Sequence, residues 1–172
     1  DAFVGLVDGR RVLDVCSYVG GWAVRAAHAG ARSVTAVDAS APALEQLTQN
    51  AALNHQQGRI ATLQGDAFQA LRDLRAARER FGVVVLDPPA FVKRRKDLKE
   101  GALAYRRLNE VALGLLEPDG MLVSASCSFH FGGDELLKTI QQAASRSDRT
   151  VQVIRRGYQG PDHPLHPAIP ET

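Results

Sequence analysis

Short apolar runs alternate with longer amphipathic stretches along the whole chain. Residues 11–15, 33–37, 60–64, 83–86, 121–126 and 150–156 are rich in Val, Ile, Leu and Thr, and they read as strands. Between them, residues 22–29, 42–54, 67–80, 102–116 and 134–147 carry helical spacing. In the second of these helices Leu44, Leu47 and Ala51 share one face, with Ser40 placed as N-cap. In the third, Leu71 and Leu74 face inward and the arginines outward. Gly30 and Gly58 close the first two helices, and Pro118 with Gly120 stops the fourth. Regular alternation of strand and helix predicts an α/β domain: a mostly parallel, Rossmann-like sheet with helices on both faces and right-handed crossovers.

One stretch organises the rest: Val83-Val84-Val85-Leu86-Asp87-Pro88-Pro89-Ala90-Phe91. Four apolar residues suit a strand buried on both faces. The prolines cannot donate to a ladder, so the strand must stop at Asp87. Pro88 also keeps Asp87 out of the helical region, leaving the acid extended at the strand's carboxyl end. Ligands bind there in an open α/β sheet. Asp38, Asp66 and Cys127 end or closely follow strands in the same way.

Composition narrows the reading. With 172 residues, 45% of them hydrophobic and 23% charged, the chain suits one domain, residues 1–172, with a sizeable core. A formal net charge of +2 means that any binding of nucleic acid must come from a local basic patch. Cys16 and Cys127 make neither a disulfide framework nor a metal cluster, so no metal is expected. They fit a reducing, cytoplasmic compartment, and no apolar run is long enough to imply a membrane span. The abrupt start at Asp1 and the Pro-rich end suggest a piece of a longer protein.

The loop after the first strand, Cys16-Ser17-Tyr18-Val19-Gly20-Gly21, enters a helix and would present backbone N–H groups to a cofactor. It lacks the G-x-G-x-x-G of dinucleotide folds, which weighs against a nicotinamide cofactor. Asp38 is placed to accept both hydroxyls of a ribose, or else to favour the next helix electrostatically. Asp66 is placed to accept from an adenine amino group and also to cap the helix starting at Ala67.

The blocks VLDVCSYVGGWAV, VTAVDAS, GDAF, VVLDPPAF and SASCS, in that order and spacing, resemble the class I S-adenosylmethionine-dependent methyltransferases. More narrowly, they resemble the bacterial 23S ribosomal RNA large-subunit methyltransferase I family, which makes 5-methylcytosine. The likeness runs from about Arg11 to the end. It implies S-adenosylmethionine as cofactor and 23S ribosomal RNA as partner. It also implies a seven-stranded sheet whose last, antiparallel strand slots between the fifth and sixth. By resemblance Ser17, Tyr18, Gly20 and Gly21 line the methionine part of the cofactor. Asp38 takes the ribose, Asp66 with Ala67 the adenine, and Asp87 faces the target base. The general pattern D-x-G-x-G-x-G stands here as Asp14-x-Cys16-x-Tyr18-x-Gly20, with only its final glycine kept. The family's N-terminal RNA-binding domain and closing strand are absent from this sequence. The missing strand is expected to leave the fifth strand with an open edge, relieved by residues 150–156 shifting in or by a neighbouring molecule, or else left beside a poorly ordered tail.

The chemistry that the resemblance implies needs a thiolate. Carbon 5 of cytosine is a poor nucleophile until a thiolate adds at carbon 6 and converts the ring to an enamine. Cys127 is the candidate nucleophile, and Asp87 the carboxyl that assists at N3. Cys16 reads as a structural residue. Pro88, Pro89, Phe91, Lys93 and Arg94 form the candidate substrate-binding group. Arg95, Lys96, Lys99, Arg106 and Arg107 extend its charge toward phosphate. Phe91 either stacks on a base or packs under its loop. Tyr105 and Asn109, four apart on one helix, are candidates for a site wall. Asp162-His163-Pro164 matches a family pattern without suggesting a role. Two other readings stay open: a nitrogen-methylating relative of the guanine-N7 type, which needs no thiol, and a non-catalytic cofactor- or RNA-binding module.

Overall fold

The structure is a computed structural model and describes residues 3–157. The elements run α1 (Val4–Val7), β1 (Arg11–Val15), α2 (Gly21–His28), β2 (Ser33–Asp38), α3 (Ala41–Leu53), β3 (Ile60–Gln64), α4 (Ala67–Ala76) and β4 (Phe81–Leu86). A 3₁₀ turn (Arg95–Asp97), α5 (Leu98–Leu113), β5 (Leu116–Ser124) and α6 (Gly133–Arg146) complete them. Among the described residues the sheet has five strands in the order β3-β2-β1-β4-β5, and every pairing is parallel. The order reverses between β1 and β4, and the crevice at that switch point is where such sheets bind ligands.

Burial follows the apolar pattern. All six residues of β4 are buried, and so are Val12 to Val15 of β1. Each buried Val or Leu contributes about 1.5–3 kcal/mol of transfer free energy. One core joins the sheet to α4, α5 and α6 through Leu13, Leu71, Leu108 and Ala143. The other joins it to α1, α2 and α3 through Val7, Ala23, Ala26 and Leu47. The face that α2 buries is made of alanines, Ala23, Ala26 and Ala27. Capping is as expected: Ser40 accepts from Ala43 N at 3.3 Å and Asp66 from Gln69 N at 3.0 Å.

Several expectations need correction. Residues 150–156 form no strand; Val151, Val153 and Ile154 are exposed, and no shift toward β5 occurs. Alternating apolar residues make a strand only against a ladder, and the neighbour that the resemblance supplies is not among the described residues. The strand expected at 121–126 is longer and starts at Leu116. Phe81 pairs with Leu116 but Val83 with Met121, so residues 117–120 bulge out, with Asp119 at φ 58°. Pro118 and Gly120 therefore interrupt a strand rather than end a helix, and α5 stops at Leu113. That helix also begins earlier than expected, at Leu98 within the charged segment. Helix α4 ends at Ala76, short of Arg80, and Arg78 takes a left-handed φ of 58° before β4. The single turn α1 was not expected. His163, His166 and the Asp162-His163-Pro164 pattern lie outside the described residues.

Candidate active site at the β1–β4 switch point

The loop after β1 has an unusual backbone. Cys16, Tyr18 and Gly20 stand at φ 62°, 48° and 91°. These are the three places where the D-x-G-x-G-x-G pattern has glycine. The loop thus keeps the glycine conformation while carrying side chains at two left-handed positions, at a cost on the order of 1–2 kcal/mol each. Gly20 is required twice over, because a Cβ there would also lie 2.6 Å from Leu47 Cγ. Asp38 fixes the loop from β2. Its Oδ2 accepts from Tyr18 N at 2.8 Å and its Oδ1 from Ser40 N at 2.9 Å. Each of these oxygens keeps a lone pair for a hydroxyl in the cleft.

Under this loop lies Asp14, fully buried; neither carboxyl oxygen has a partner in good hydrogen-bond geometry, and the Ala23 amide is near enough only to favour the ionised form. Burial raises its pKa from 3.8 to about 7; the Ala23 amide pulls the other way, and the carboxylates of Asp87 and Asp38 push further up. Cys16 sits within the same ring of acids. Burial first, then Asp38, Asp14, Asp87 and Asp66, push its thiol to about 12. At neutral pH it carries no thiolate, in keeping with a packing role.

Asp87 follows β4, and its Oδ2 accepts from Trp22 Nε1 at 3.0 Å. Trp22 is itself held edge-on by Phe3, with ring centroids 5.0 Å apart. Cys127 follows β5 on the other side of β4. It is exposed, and its Sγ lies 3.7 Å from Pro88 O. The two prolines that stop β4 thus set the carbonyl against which the thiol rests.

A hydroxyl cluster flanks Cys127. Ser126 Oγ donates to Tyr105 Oη at 3.0 Å and accepts from Ser128 N at 3.2 Å. Tyr105 Oη and Ser128 Oγ are 2.8 Å apart, and Val92 N donates to Ser128 Oγ at 3.1 Å. Tyr105 is fully buried between Phe91 and Phe131, with both centroid distances 4.7 Å. Asn109 Nδ2 donates to Tyr105 O at 2.8 Å. This pair is therefore internal framework rather than an open wall.

The substrate-side candidates divide. Lys93, Arg94, Arg95, Lys96 and Lys99 are all exposed. Arg94 is engaged in a two-pronged pair with Asp97, at 2.9 and 3.2 Å. That pairing raises the arginine pKa and lowers the aspartate's. Arg106 is half-buried and turns toward Glu110 at 4.0 Å. Phe91 faces inward against Tyr105 and, at 6.5 Å, Phe68, so packing under the loop is the arrangement observed. Phe129, two residues beyond Cys127, is an exposed aromatic. Ser17 is buried, Tyr18 is exposed over the cleft, and Gly21 opens α2. Asp66 and Ala67 start α4 at the end of β3. Reading the sequence missed Asp14 and Trp22. A Trp on the first turn of the cofactor helix carries one N–H that must find an acceptor, a signal that an acceptor is needed without saying which; the structure supplies Asp87.

This arrangement suits a small zwitterionic nucleoside. A buried orphan carboxyl lies under a glycine-type turn, a carboxylate with spare lone pairs ends β2, and an acid-Pro-Pro turn ends β4. A parallel sheet with its switch point so furnished defines a Rossmann-like nucleoside-cofactor enzyme. The chain belongs to the S-adenosylmethionine-dependent methyltransferase family, whose model matches residues 4–169. S-adenosylmethionine is the cofactor of that family. The chain is 39% identical over 166 residues to the ribosomal RNA large subunit methyltransferase I of Citrobacter koseri, covering 96% of this chain and 42% of that protein. It is 38% identical over the same length to the enzyme of that name from Salmonella newport, covering 41% of it. The chain thus spans less than half the length of these relatives. Solved structures share the fold. A methyltransferase complexed with SAH matches 82% of this chain and 37% of its own, at TM-score 0.73 and 21% identity. The SAM-dependent methyltransferase from Agrobacterium tumefaciens matches 83% and 46%, at TM-score 0.65 and 21% identity.

Proposed function

We propose that residues 1–172 are the catalytic domain of an RNA methyltransferase that methylates carbon 5 of a cytosine in 23S ribosomal RNA. In the full-length protein a separate RNA-binding domain precedes it, and the enzyme works in the cytoplasm. The observation that carries the reading is the exposed Cys127 thiol 3.7 Å from Pro88 O, on the turn that also presents Asp87. A nitrogen nucleophile would need the acid-Pro-Pro turn but no thiol beside it. The names of the 39%-identical relatives support ribosomal RNA as substrate.

Ser17, Tyr18, Gly20 and Gly21 hold the methionine end of the cofactor, Asp38 the ribose, and Asp66 with Ala67 the adenine. When bound, S-adenosylmethionine supplies an electrophilic methyl group. The exposed Cys127 thiol gives its proton to solvent and, as thiolate, adds to carbon 6 of the cytosine; the carbon 5–carbon 6 π electrons become enamine density at carbon 5. Asp87, oriented by Trp22 Nε1, donates a proton from its second oxygen to N3, which draws electrons out of the ring and favours addition, and it takes that proton back when the adduct breaks down. After carbon 5 is methylated it loses its proton to a base, and the bond to Cys127 breaks, returning the thiolate and the aromatic ring. Pro88 and Pro89 shape the floor of the base pocket. Lys93, Lys96 and Lys99 reach phosphates, and Arg94 joins them when it exchanges Asp97 for phosphate. The test is transfer of labelled methyl to ribosomal RNA by the full-length protein: Cys127→Ala should abolish it while cofactor binding is kept. Substantial turnover by that variant would favour nitrogen methylation instead.

A further inference from the structure

We propose that Tyr105 is a positioning residue for Cys127, acting through Ser126 and Ser128. The proposal rests on the covalent reading above and adds to it a group that touches neither base nor cofactor. Both neighbours of the cysteine close on the same phenol. Ser126 donates to Tyr105 Oη at 3.0 Å, which leaves the phenol proton for Ser128 Oγ at 2.8 Å. Ser128 Oγ also takes the Val92 amide at 3.1 Å, so the segment following Pro88 and Pro89 is tied to the same point. The thiol and the carbonyl it rests on, Cys127 Sγ and Pro88 O, thus come from two loops bolted together by one buried hydroxyl on α5.

The phenol itself is firmly seated. Tyr105 stacks on Phe131 with an interplanar angle of 7° and lies against Phe91. Its turn of α5 can approach the Phe91 backbone because residue 101 is glycine; a Cβ there would lie 2.9 Å from Phe91 O. The rings fix where Tyr105 stands, while the hydroxyl alone fixes what Ser126 and Ser128 do. Tyr105→Phe should therefore keep the packing and release the thiol loop. Both loops belong to the reacting geometry, and a displacement on the order of 1 Å lowers rates by about a hundredfold.

The experiment uses the full-length protein and measures three things: cofactor affinity, the rate at which iodoacetamide alkylates Cys127 (followed on its own peptide by mass spectrometry), and the rate of adduct formation with 5-fluorocytosine RNA. Tyr105→Phe should leave cofactor affinity within about twofold and slow adduct formation by about ten- to a hundredfold. The alkylation rate should change across its pH profile. In a Ser126→Ala/Ser128→Ala background, Tyr105→Phe should have no further effect on adduct formation, because the path it acts through is already cut. Adduct formation by Tyr105→Phe at the wild-type rate would overturn the proposal. So would effects of the phenol and the serines that simply multiply, or a drop in cofactor affinity as large as the drop in rate, which would mark a general loss of structure. Should the wild type form no adduct, the covalent reading itself fails; should it form one that ignores Tyr105, only the positioning proposal fails.

Discussion

Asp14→Asn isolates the electrostatic cost of the cofactor cleft. The carboxyl is fully buried and lacks partners in good hydrogen-bond geometry, and its pKa is about 7 in the fold against about 3.9 in an unfolded chain. Between those two values the folded protein binds a proton that the unfolded chain has released, so stability falls as pH rises through this window. At about 1.36 kcal/mol per tenfold change, the loss attributable to Asp14 between pH 5 and pH 8 is about 2.5 kcal/mol. Below about pH 3 both states are protonated, and the contribution is flat. The amide of Asn cannot ionise, so its own burial cost is the same at every pH. The assay is urea unfolding of both proteins from pH 4 to pH 8, without cofactor, read as the difference between them. Wild type should lose stability relative to Asp14→Asn by about 3.5 kcal/mol over that range, most of it between pH 5 and pH 7. A difference that does not change with pH, or one in which wild type gains on the variant toward pH 8, would refute the placement of an unpaired carboxyl under the loop.

Three further substitutions probe the same framework. Asp38→Ala should weaken S-adenosylmethionine binding by about 1.5–3 kcal/mol in isothermal titration, the range for losing a hydrogen bond to a charged group, and unchanged affinity would remove Asp38 from the ribose site. Gly20→Ala forces a left-handed φ and a Cβ 2.6 Å from Leu47 Cγ, so unfolding should show a loss of about 1–3 kcal/mol; a melt within about 1 °C of wild type would show that the loop and α3 do not pack this closely. Replacing Lys93, Lys96 and Lys99 by Gln should reduce the salt dependence of RNA binding by about two released counterions while leaving cofactor affinity alone; an unaltered salt slope would place the RNA elsewhere.

The parts of the fold legible in the sequence are those that each segment encodes for itself. The Val83–Leu86 run is apolar on both faces, so it had to be central, and the prolines after Asp87 had to end it. Ser40 and Asp66 announced their helices because a cap is a local hydrogen bond. Residues 117–120 were misread because Pro and Gly mark a change of direction without saying whether a strand resumes beyond it. Residues 150–156 carry strand periodicity, but a strand also needs a neighbour, which no local pattern reports. The site divides in the same way. Asp38, Asp87 and Cys127 were visible as strand ends. Asp14, Trp22 and the Tyr105–Ser126–Ser128 cluster were not, because their importance depends on which polar groups packing leaves with partners and which without.

The central claim is that Cys127 attacks the base, and trapping the attack tests it most directly. Full-length protein would be incubated with S-adenosylmethionine and a ribosomal RNA fragment in which cytosine is replaced by 5-fluorocytosine, then digested and sequenced by mass spectrometry. Fluorine leaves carbon 5 no removable proton, so the bond to the enzyme cannot be eliminated. The account predicts one cross-linked peptide, with the methylated fluoropyrimidine on Cys127, and none in Cys127→Ala. A methylated RNA with no protein attached, or a cross-link at Cys16, would contradict it.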